Sequence, residues 1–386
     1  MLKNNYCYNI REETFGATVF DLERGKRFYV NKKELLDLYK NKTLPKDICK
    51  EKVDIDKIKI IKIKSNEKIK NFSFADTVFI EITRKCNLRC IHCLNNSGTL
   101  LEEEMTSEEI INLIDSLSEA GIQDIRFTGG EALTSNYIYE YISHALSKGI
   151  IVSLASNGTL IDSKVAKELA MAGLKKCVIS IDGTKEANDR IRGKGSYDNA
   201  LKAIKYLKAN NIDVRVNSVV LKSNIDDIIK LAENMDEMKT KMYIRRFVNS
   251  GRAANLKNMC LSRHDYEYLR EQLCDILKNG YVDGHYLHDG DGVKLRIELP
   301  FRVEGCRAGK RSFAIAPNGD IFPCGFLAAQ GFEPVNNIRK IKNWREFWYD
   351  MQNNKQLISL RKIGESKKTQ SYCLANIFKE NNFKGE

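Results

Sequence analysis

From about Asp76 onward, short apolar runs alternate with stretches whose apolar residues recur every three to four positions. The runs have the length and β-branched content of buried strands and the stretches have helical period, so the pattern predicts repeated β/α units on a parallel sheet. Strands are expected near Thr77–Ile82, Asp124–Phe127, Ile151–Ala155, Lys176–Ile181, Asp213–Val220 and Met242–Phe247. Helices are expected between them, near Thr106–Ala120, Asn136–Lys148, Ser163–Ala172, Ser196–Asn210 and Ile225–Asn234. Thr106-Ser107-Glu108-Glu109 sets hydroxyls ahead of acidic first-turn residues, a helix start. Upstream, Glu12–Asp21 and Lys26–Val30 flank the turn-like Leu22–Gly25 and predict a hairpin, with a helix over Lys32–Tyr39. Downstream, Asp265–Leu277 reads as a helix, and Ser312–Pro323 as a second hairpin turning at Asn318-Gly319. The expected organisation is an N-terminal module over 1–75, a β/α domain over 76–250 and a C-terminal domain over 251–386.

A chain of 386 residues with 42% hydrophobic and 30% charged positions has the balance of a globular protein. No apolar run approaches the roughly 18–20 residues of a membrane span, and Met1-Leu2-Lys3-Asn4-Asn5 leads into polar sequence, so a cytoplasmic protein with no membrane partner is expected. The net charge of +12 is spread along the chain. It favours acidic partners or an anionic cofactor in general terms; no recognisable nucleic-acid module accompanies it, and nucleic acid is not the expected partner. The 11 cysteines are grouped at metal-ligand spacings in a large chain, which argues for clusters rather than disulfides.

The densest group is Cys86-Asn87-Leu88-Arg89-Cys90-Ile91-His92-Cys93, directly after the first strand of the β/α region. Three thiolates in eight residues can hold three irons of a [4Fe–4S] cluster and leave the fourth open to chemistry. A zinc site lacking its fourth ligand and scattered packing thiols are the alternatives at this point. A second motif, Phe127-Thr128-Gly129-Gly130-Glu131-Ala132-Leu133, follows the second strand. Its Gly129 and Gly130 permit close approach to the backbone, and the Glu131 carboxylate can accept hydrogen bonds from an ammonium group.

Together the two motifs resemble the signature of the radical S-adenosylmethionine (SAM) superfamily, across roughly Asp76 to Val248. The resemblance implies an α/β fold, a partial (β/α)6 TIM-like barrel whose active site is built at the C-terminal ends of its strands. It also implies Cys86, Cys90 and Cys93 as cluster ligands, the open iron chelating the amino and carboxylate groups of SAM. Reductive cleavage then gives methionine and a 5′-deoxyadenosyl radical that abstracts hydrogen from substrate. Ser156-Asn157-Gly158 and Ser180-Ile181-Asp182-Gly183 resemble segments lining SAM in related enzymes, and Asn188–Ser196 resembles a loop whose second arginine, here Arg192, faces the SAM carboxylate. His92 stands where an aromatic contacts adenine. The three segments are also compatible with ordinary βα turns, and His92 with a surface ring beside a cluster ligand.

Cys306 and Cys324 fit C-x12-G-x4-C, which resembles the opening of the SPASM and twitch extensions that bind auxiliary iron–sulfur clusters. Only Cys373 follows, so the resemblance implies one auxiliary cluster on Cys306, Cys324 and Cys373, with a fourth site open or filled by a residue such as Cys260 or Cys274. Zinc and packing cysteines are the alternatives. Cys7, Cys49 and Cys177 receive no role. The N-terminal hairpin and helix resemble the leader-peptide recognition module of peptide-modifying members, although a structural cap would look the same. The resulting expectation is a radical SAM enzyme that cross-links a ribosomally made precursor peptide through a thioether or C–C bond. A flavodoxin- or ferredoxin-like protein would donate electrons. Side-chain oxidation of the sulfatase-maturase or dehydrogenase type and epimerisation are the enzymatic alternatives, and an iron–sulfur scaffold or a nucleic-acid-binding module the non-enzymatic one.

Overall fold

At Gly16 a Cβ would lie 2.1 Å from the Val30 carbonyl, and this close approach turns the N-terminal segment into two strands where the sequence suggested one. The computed structural model describes residues 6–24, 26–50, 52–62, 72–279, 282–283, 306–366 and 373–380. Strands β1 (Tyr8–Glu13), β2 (Gly16–Asp21) and β3 (Lys26–Asn31) form an antiparallel meander. Helix α1 (Lys32–Asn41) follows at once, started by a capping box between Asn31 and Glu34. Strand β4 (Ile58–Ile61), which the sequence reading lacked, pairs parallel with β1 and gives the order β3-β2-β1-β4.

The β/α region runs β5 (Thr77–Glu81), α2 (Ser107–Ala120), β6 (Asp124–Thr128), α3 (Ile138–Ser147), β7 (Ile151–Ser156), α4 (Ser163–Met171) and β8 (Lys176–Ser180). It continues with α5 (Lys185–Arg192), α6 (Ser196–Ala209), β9 (Asp213–Val220), α7 (Ile225–Glu237) and β10 (Lys241–Arg246). Strands β5 to β10 pair in parallel in chain order, as a partial (β/α)6 barrel requires. The six expected strands and five expected helices are all present, with ends shifted by a few residues at most. Helix α5 was not expected: part of it, Asn188–Arg192, was read as loop. Its sequence, KEANDRIR, turns only Ala187, Asn188 and Ile191 inward, too few apolar residues to produce a helical pattern.

Beyond the barrel come α8 (Arg263–Gln272), α9 (Cys274–Asn279), β11 (Val282–Asp283), β12 (Ser312–Ile315), β13 (Asp320–Phe322), α10 (Gly325–Ala329) and β14 (Asn336–Asn337). Helices α11 (Trp344–Gln352), α12 (Lys355–Ser366) and α13 (Leu374–Glu380) end the described chain. The expected hairpin is β12 and β13, but it does not stand apart. Strand β12 pairs in parallel with β5, so the C-terminal region extends the barrel sheet to ten strands, ordered β11-β10-β9-β8-β7-β6-β5-β12-β13-β14. One apolar core runs from Val78 and Ile80 through Phe313 and Ile315 to Trp348 and Leu374. No helix among the described residues is long and apolar enough to cross a membrane.

The three regions meet at Asp76, a fully buried carboxylate just before β5. Arg11 of β1 donates to its Oδ1 at 3.0 Å, Arg311 donates to its Oδ2 at 2.8 Å, and Arg27 of β3 lies 3.4 Å from Oδ2. Burial pushes this carboxyl up, but the guanidiniums of Arg27, Arg311, Arg11 and Arg307 outweigh it and hold it well below the usual carboxylate range. Removing a buried partner strands the opposite charges. Asp76→Ala is therefore expected to cost about 3–5 kcal/mol in urea unfolding at pH 7. Because the folded value is depressed, the stabilisation is present above the unfolded value and lost as pH falls through the folded one, so the difference between wild type and variant should shrink below about pH 4. A loss under about 1 kcal/mol at pH 7 would show that the cluster does not hold the regions together.

Candidate active site

Both sequence motifs lie at the C-terminal ends of barrel strands, the Cys86–Cys93 loop after β5 and Gly129-Gly130-Glu131 after β6. The backbone fastens them to each other. Gly130 N donates to Thr83 O at 2.7 Å, and Glu131 N to Lys85 O at 2.9 Å. A Cβ on Gly130 would lie 2.4 Å from Lys85 O, and one on Gly129 2.6 Å from Thr83 O. The close approach anticipated for a ligand is thus made by the chain's own backbone leading into Cys86, and the glycines seat the thiol loop.

Cys86, Cys90 and Cys93 are partly buried, unpaired by disulfides, and within electrostatic reach of one another. Burial pushes the thiols of Cys86 and Cys90 up; the Leu88 N–H offsets this in part at Cys86, and the Arg192 guanidinium at Cys90. Leu88 N donates to Cys86 Sγ at 3.4 Å, and Ser97 N to Cys93 Sγ at 3.3 Å. Such N–H···S contacts tune a cluster's potential. Among the described residues no three Cys, His, Asp or Glu side chains converge on one point as the ligands of a single ion would. The donors on this loop are three thiols, the ligand type a cubane takes on separate irons.

Around the thiols the expected side chains form a buried polar ring. Asp182, just past β8, is fully buried. Its Oδ2 accepts from Arg192 Nε at 2.6 Å and from His92 Nε2 at 2.7 Å, and its Oδ1 from Val219 N at 2.7 Å. Burial pushes the Asp182 carboxyl up, but Arg192, then His92 and the Val219 N–H, hold it well below the usual range. An ionised Asp182 can only accept, so His92 Nε2 is the donor of this pair and Nδ1 is its other ring nitrogen. That Nδ1 is buried with no partner among the described residues. A bound ligand that supplies a hydrogen-bonding group would satisfy it. Arg192 is the last residue of α5, and its backbone carbonyl lies 3.9 Å from Cys90 Sγ.

Glu131 is buried, and its carboxylate accepts from Asn157 N at 2.8 Å and Leu133 N at 3.2 Å. Burial raises its pKa, which these N–H groups offset in part. Asn157 reaches the thiol loop, donating from Nδ2 to Asn87 Oδ1 at 3.0 Å, and Ser156 Oγ accepts from Gly158 N at 3.0 Å. Ser180 ends β8, level with Asn217 of β9. The supporting residues Asn87, Asn188 and Asn224 were not singled out from sequence. Asn188 Oδ1 accepts from Asp182 N at 2.9 Å, and Asn224 Nδ2 donates to Asp182 O at 2.9 Å. A lone asparagine, whether in a loop, at a helix cap or on a polar helix face, carries no spacing signal.

The C-terminal cysteines also come together. Cys324 lies within electrostatic reach of both Cys306 and Cys373, although 49 residues separate it from the latter. Burial raises the thiols of Cys306 and Cys324. Cys324 caps α10, its Sγ accepting from Leu327 N at 3.4 Å. Cys260 and Cys274 are exposed.

A family model described as the Radical SAM superfamily matches residues 80–235. The AdoMet-dependent heme synthase of Oleidesulfovibrio alaskensis is 30% identical over 290 residues, 70% of this chain and 74% of that protein. The mycofactocin maturase MftC of Mycolicibacterium smegmatis is 29% identical over 275 residues, 69% of this chain and 68% of that protein. Among solved structures, Streptococcus suis SuiB bound to its precursor peptide SuiA superposes with a TM-score of 0.69 at 18% identity, over 91% of this chain and 89% of that one.

Asp182 is the testable centre of the ring. Asp182→Ala leaves the Arg192 guanidinium buried without its partner and is expected to cost about 3–5 kcal/mol in chemical unfolding at pH 7, whereas Asp182→Asn, which keeps an acceptor, should cost less. Equal costs for the two would mean that the carboxylate's charge is not what holds His92 and Arg192.

Proposed function

Because this chain belongs to the radical SAM superfamily, enzymes that use a [4Fe–4S] cluster and S-adenosylmethionine, we propose that it modifies a ribosomally synthesised precursor peptide by installing a thioether or carbon–carbon cross-link. When bound, the cluster and SAM supply a reducing electron and a hydrogen-abstracting 5′-deoxyadenosyl radical. The chain's own residues hold and shield them. Cys86, Cys90 and Cys93 hold three irons; Gly129, Gly130 and Glu131, with Ser156, Asn157 and Ser180, line the strand ends against which SAM lies. Asp182 orients His92 and Arg192, the first toward adenine and the second toward the SAM carboxylate. Cys306, Cys324 and Cys373 hold an auxiliary cluster.

The observation that carries the peptide reading is the free edge of the N-terminal sheet. Strand β3 stands at the end of the order β3-β2-β1-β4, and among the described residues it pairs only with β2. Such an edge accepts an extended peptide as an added strand. Helix α1 runs on directly from β3 and carries Leu36, 54% exposed. Lys26, Lys32 and Lys33 near this edge suit an acidic leader. SuiB, which was crystallised with a precursor peptide, and the maturase MftC support the same reading. A flavodoxin- or ferredoxin-like protein is the proposed electron donor. The relatives named heme synthase, at 30% identity, favour a tetrapyrrole as the second reading.

Reconstituted wild type should carry roughly eight irons per chain, two cubanes at about four each. Cys90→Ala is expected to abolish 5′-deoxyadenosine formation. Cys324→Ala should keep about half the iron, still release 5′-deoxyadenosine, and fail to complete the product. Mass spectrometry of the precursor peptide decides the reaction. A product two hydrogens lighter and cross-linked supports the proposal; one solvent-derived deuterium at unchanged composition means epimerisation. An unmodified peptide beside an oxidised tetrapyrrole would replace the reading.

A further inference from the structure

The loop that carries Cys86, Cys90 and Cys93 is gripped from outside by a short helical turn, Gly251–Ala253, that follows β10. Arg252 makes three contacts with it. Its backbone N donates to Cys93 O at 3.0 Å, its Nη1 to Cys90 O at 2.6 Å and its Nη2 to Ser97 O at 2.5 Å. One guanidinium therefore spans the loop from the second thiol to beyond the third. Ser97 is also the residue whose N–H donates to Cys93 Sγ, so holding its carbonyl steadies that N–H···S contact.

The residue before the arginine brings it this close. Gly251 has φ +53°, and a Cβ there would lie 2.2 Å from Leu94 O and 2.6 Å from Cys93 O. Only glycine tolerates both the left-handed backbone and the contact. On the other side, the Ser250 hydroxyl donates to the carbonyl of Ala329, the last residue of α10, whose cap is Cys324. The turn that carries Arg252 thus joins the thiol loop to the helix capped by Cys324. It lies outside residues 80–235, where the family model matches, and belongs to none of the motifs.

We propose that Arg252 is a positioning residue for the SAM-binding cluster: its forked grip fixes where the Cys90 and Cys93 thiolates point, and its positive charge favours the cluster's reduced form. The inference rests on the placement of that cluster at Cys86, Cys90 and Cys93. An arginine suits the position because its rigid fork holds two carbonyls at once, one on each terminal nitrogen, which a lysine ammonium does not offer. Reduction adds negative charge to the cluster, so a nearby cation makes the electron easier to accept.

The test compares wild type, Arg252→Lys and Arg252→Ala, each reconstituted without oxygen. Iron content, the electron paramagnetic resonance spectrum of the reduced protein with and without SAM, and the midpoint potential of the SAM-responsive signal are measured. Arg252→Ala is expected to lose most of the SAM-responsive signal and part of the iron, and its remaining signal should have a more negative midpoint. Arg252→Lys, which keeps the charge and loses the fork, should retain a potential near wild type with an intermediate signal. Thermal unfolding of the three apoproteins should be alike. The proposal is overturned if Arg252→Ala matches wild type in iron, SAM response and potential. It is also overturned if the losses only track a fall in apoprotein unfolding temperature, since the arginine would then serve the fold alone. Absence of any SAM-responsive signal in wild type would bring down the cluster placement and this inference together, a result distinct from the other two.

Discussion

Asp76 is where the three parts of the chain are made into one, and the site at the far end of β5 depends on that. Its carboxylate takes guanidiniums from β1, from β3 and from the segment before β12, each from a different stretch of sequence. Arg11 does more than pair with it, donating also to the carbonyls of Ala75 and Gly121 at 2.7 and 3.1 Å. A buried ionic cluster gains little net energy over an apolar one of the same shape, but it is unforgiving of misalignment, because any displaced partner leaves a charge in low dielectric. The cluster therefore acts as a register pin. It fixes the start of β5, and five residues of strand later the chain delivers the thiol loop at the opposite end of the sheet.

The second constraint is the addition of β12 to the edge of β5. A partial barrel leaves its first strand with an open edge, which is costly unless covered. Here the C-terminal hairpin covers it, and the cover brings Cys324 and α10 beside the barrel mouth. A Cβ on Gly325 would lie 4.0 Å from Glu81 Oε1, and Glu81 in turn accepts from Asn95, two residues past Cys93, at 2.9 Å. Glu81 is buried, which raises its pKa, offset in part by Arg84 and Asn95. The two cysteine groups are thus tied through packed elements on both sides of the mouth, Glu81 on one and the Ser250 to Arg252 turn on the other.

What could be read from the sequence follows from how strongly each element is buried. Strands such as Asp213–Val220 are legible because their alternating burial leaves a plain pattern, and Thr106 announces α2 because a capping box is local chemistry. Helix α5 is hidden because a mostly polar helix held by Asp182, Ser196 and the thiol loop has no apolar stripe. The break between β1 and β2 is hidden because Gly16 is forced by contact with Val30 and Asn31, on a strand ten residues further on. The site divides in the same way. Cysteine spacing carries its chemistry openly, whereas Arg252 stands 159 residues beyond Cys93 and is joined to it only by the closure of the fold.

The same division explains why the reaction class is firmer than the substrate. The groups that would cleave SAM lie on β5 to β8 and their loops, within the stretch the family model matches. On the proposed reading, the groups that would choose a substrate lie elsewhere, on the edge of β3 and around Cys306, Cys324 and Cys373. The heme synthase and the maturase align with this chain at nearly the same identity, yet their names describe different substrates. Similarity of that kind reports the shared radical chemistry. Selection of a partner must instead come from surfaces whose geometry only this chain's own residues set, and the main-chain groups left open along β3 are the best formed of these among the described residues.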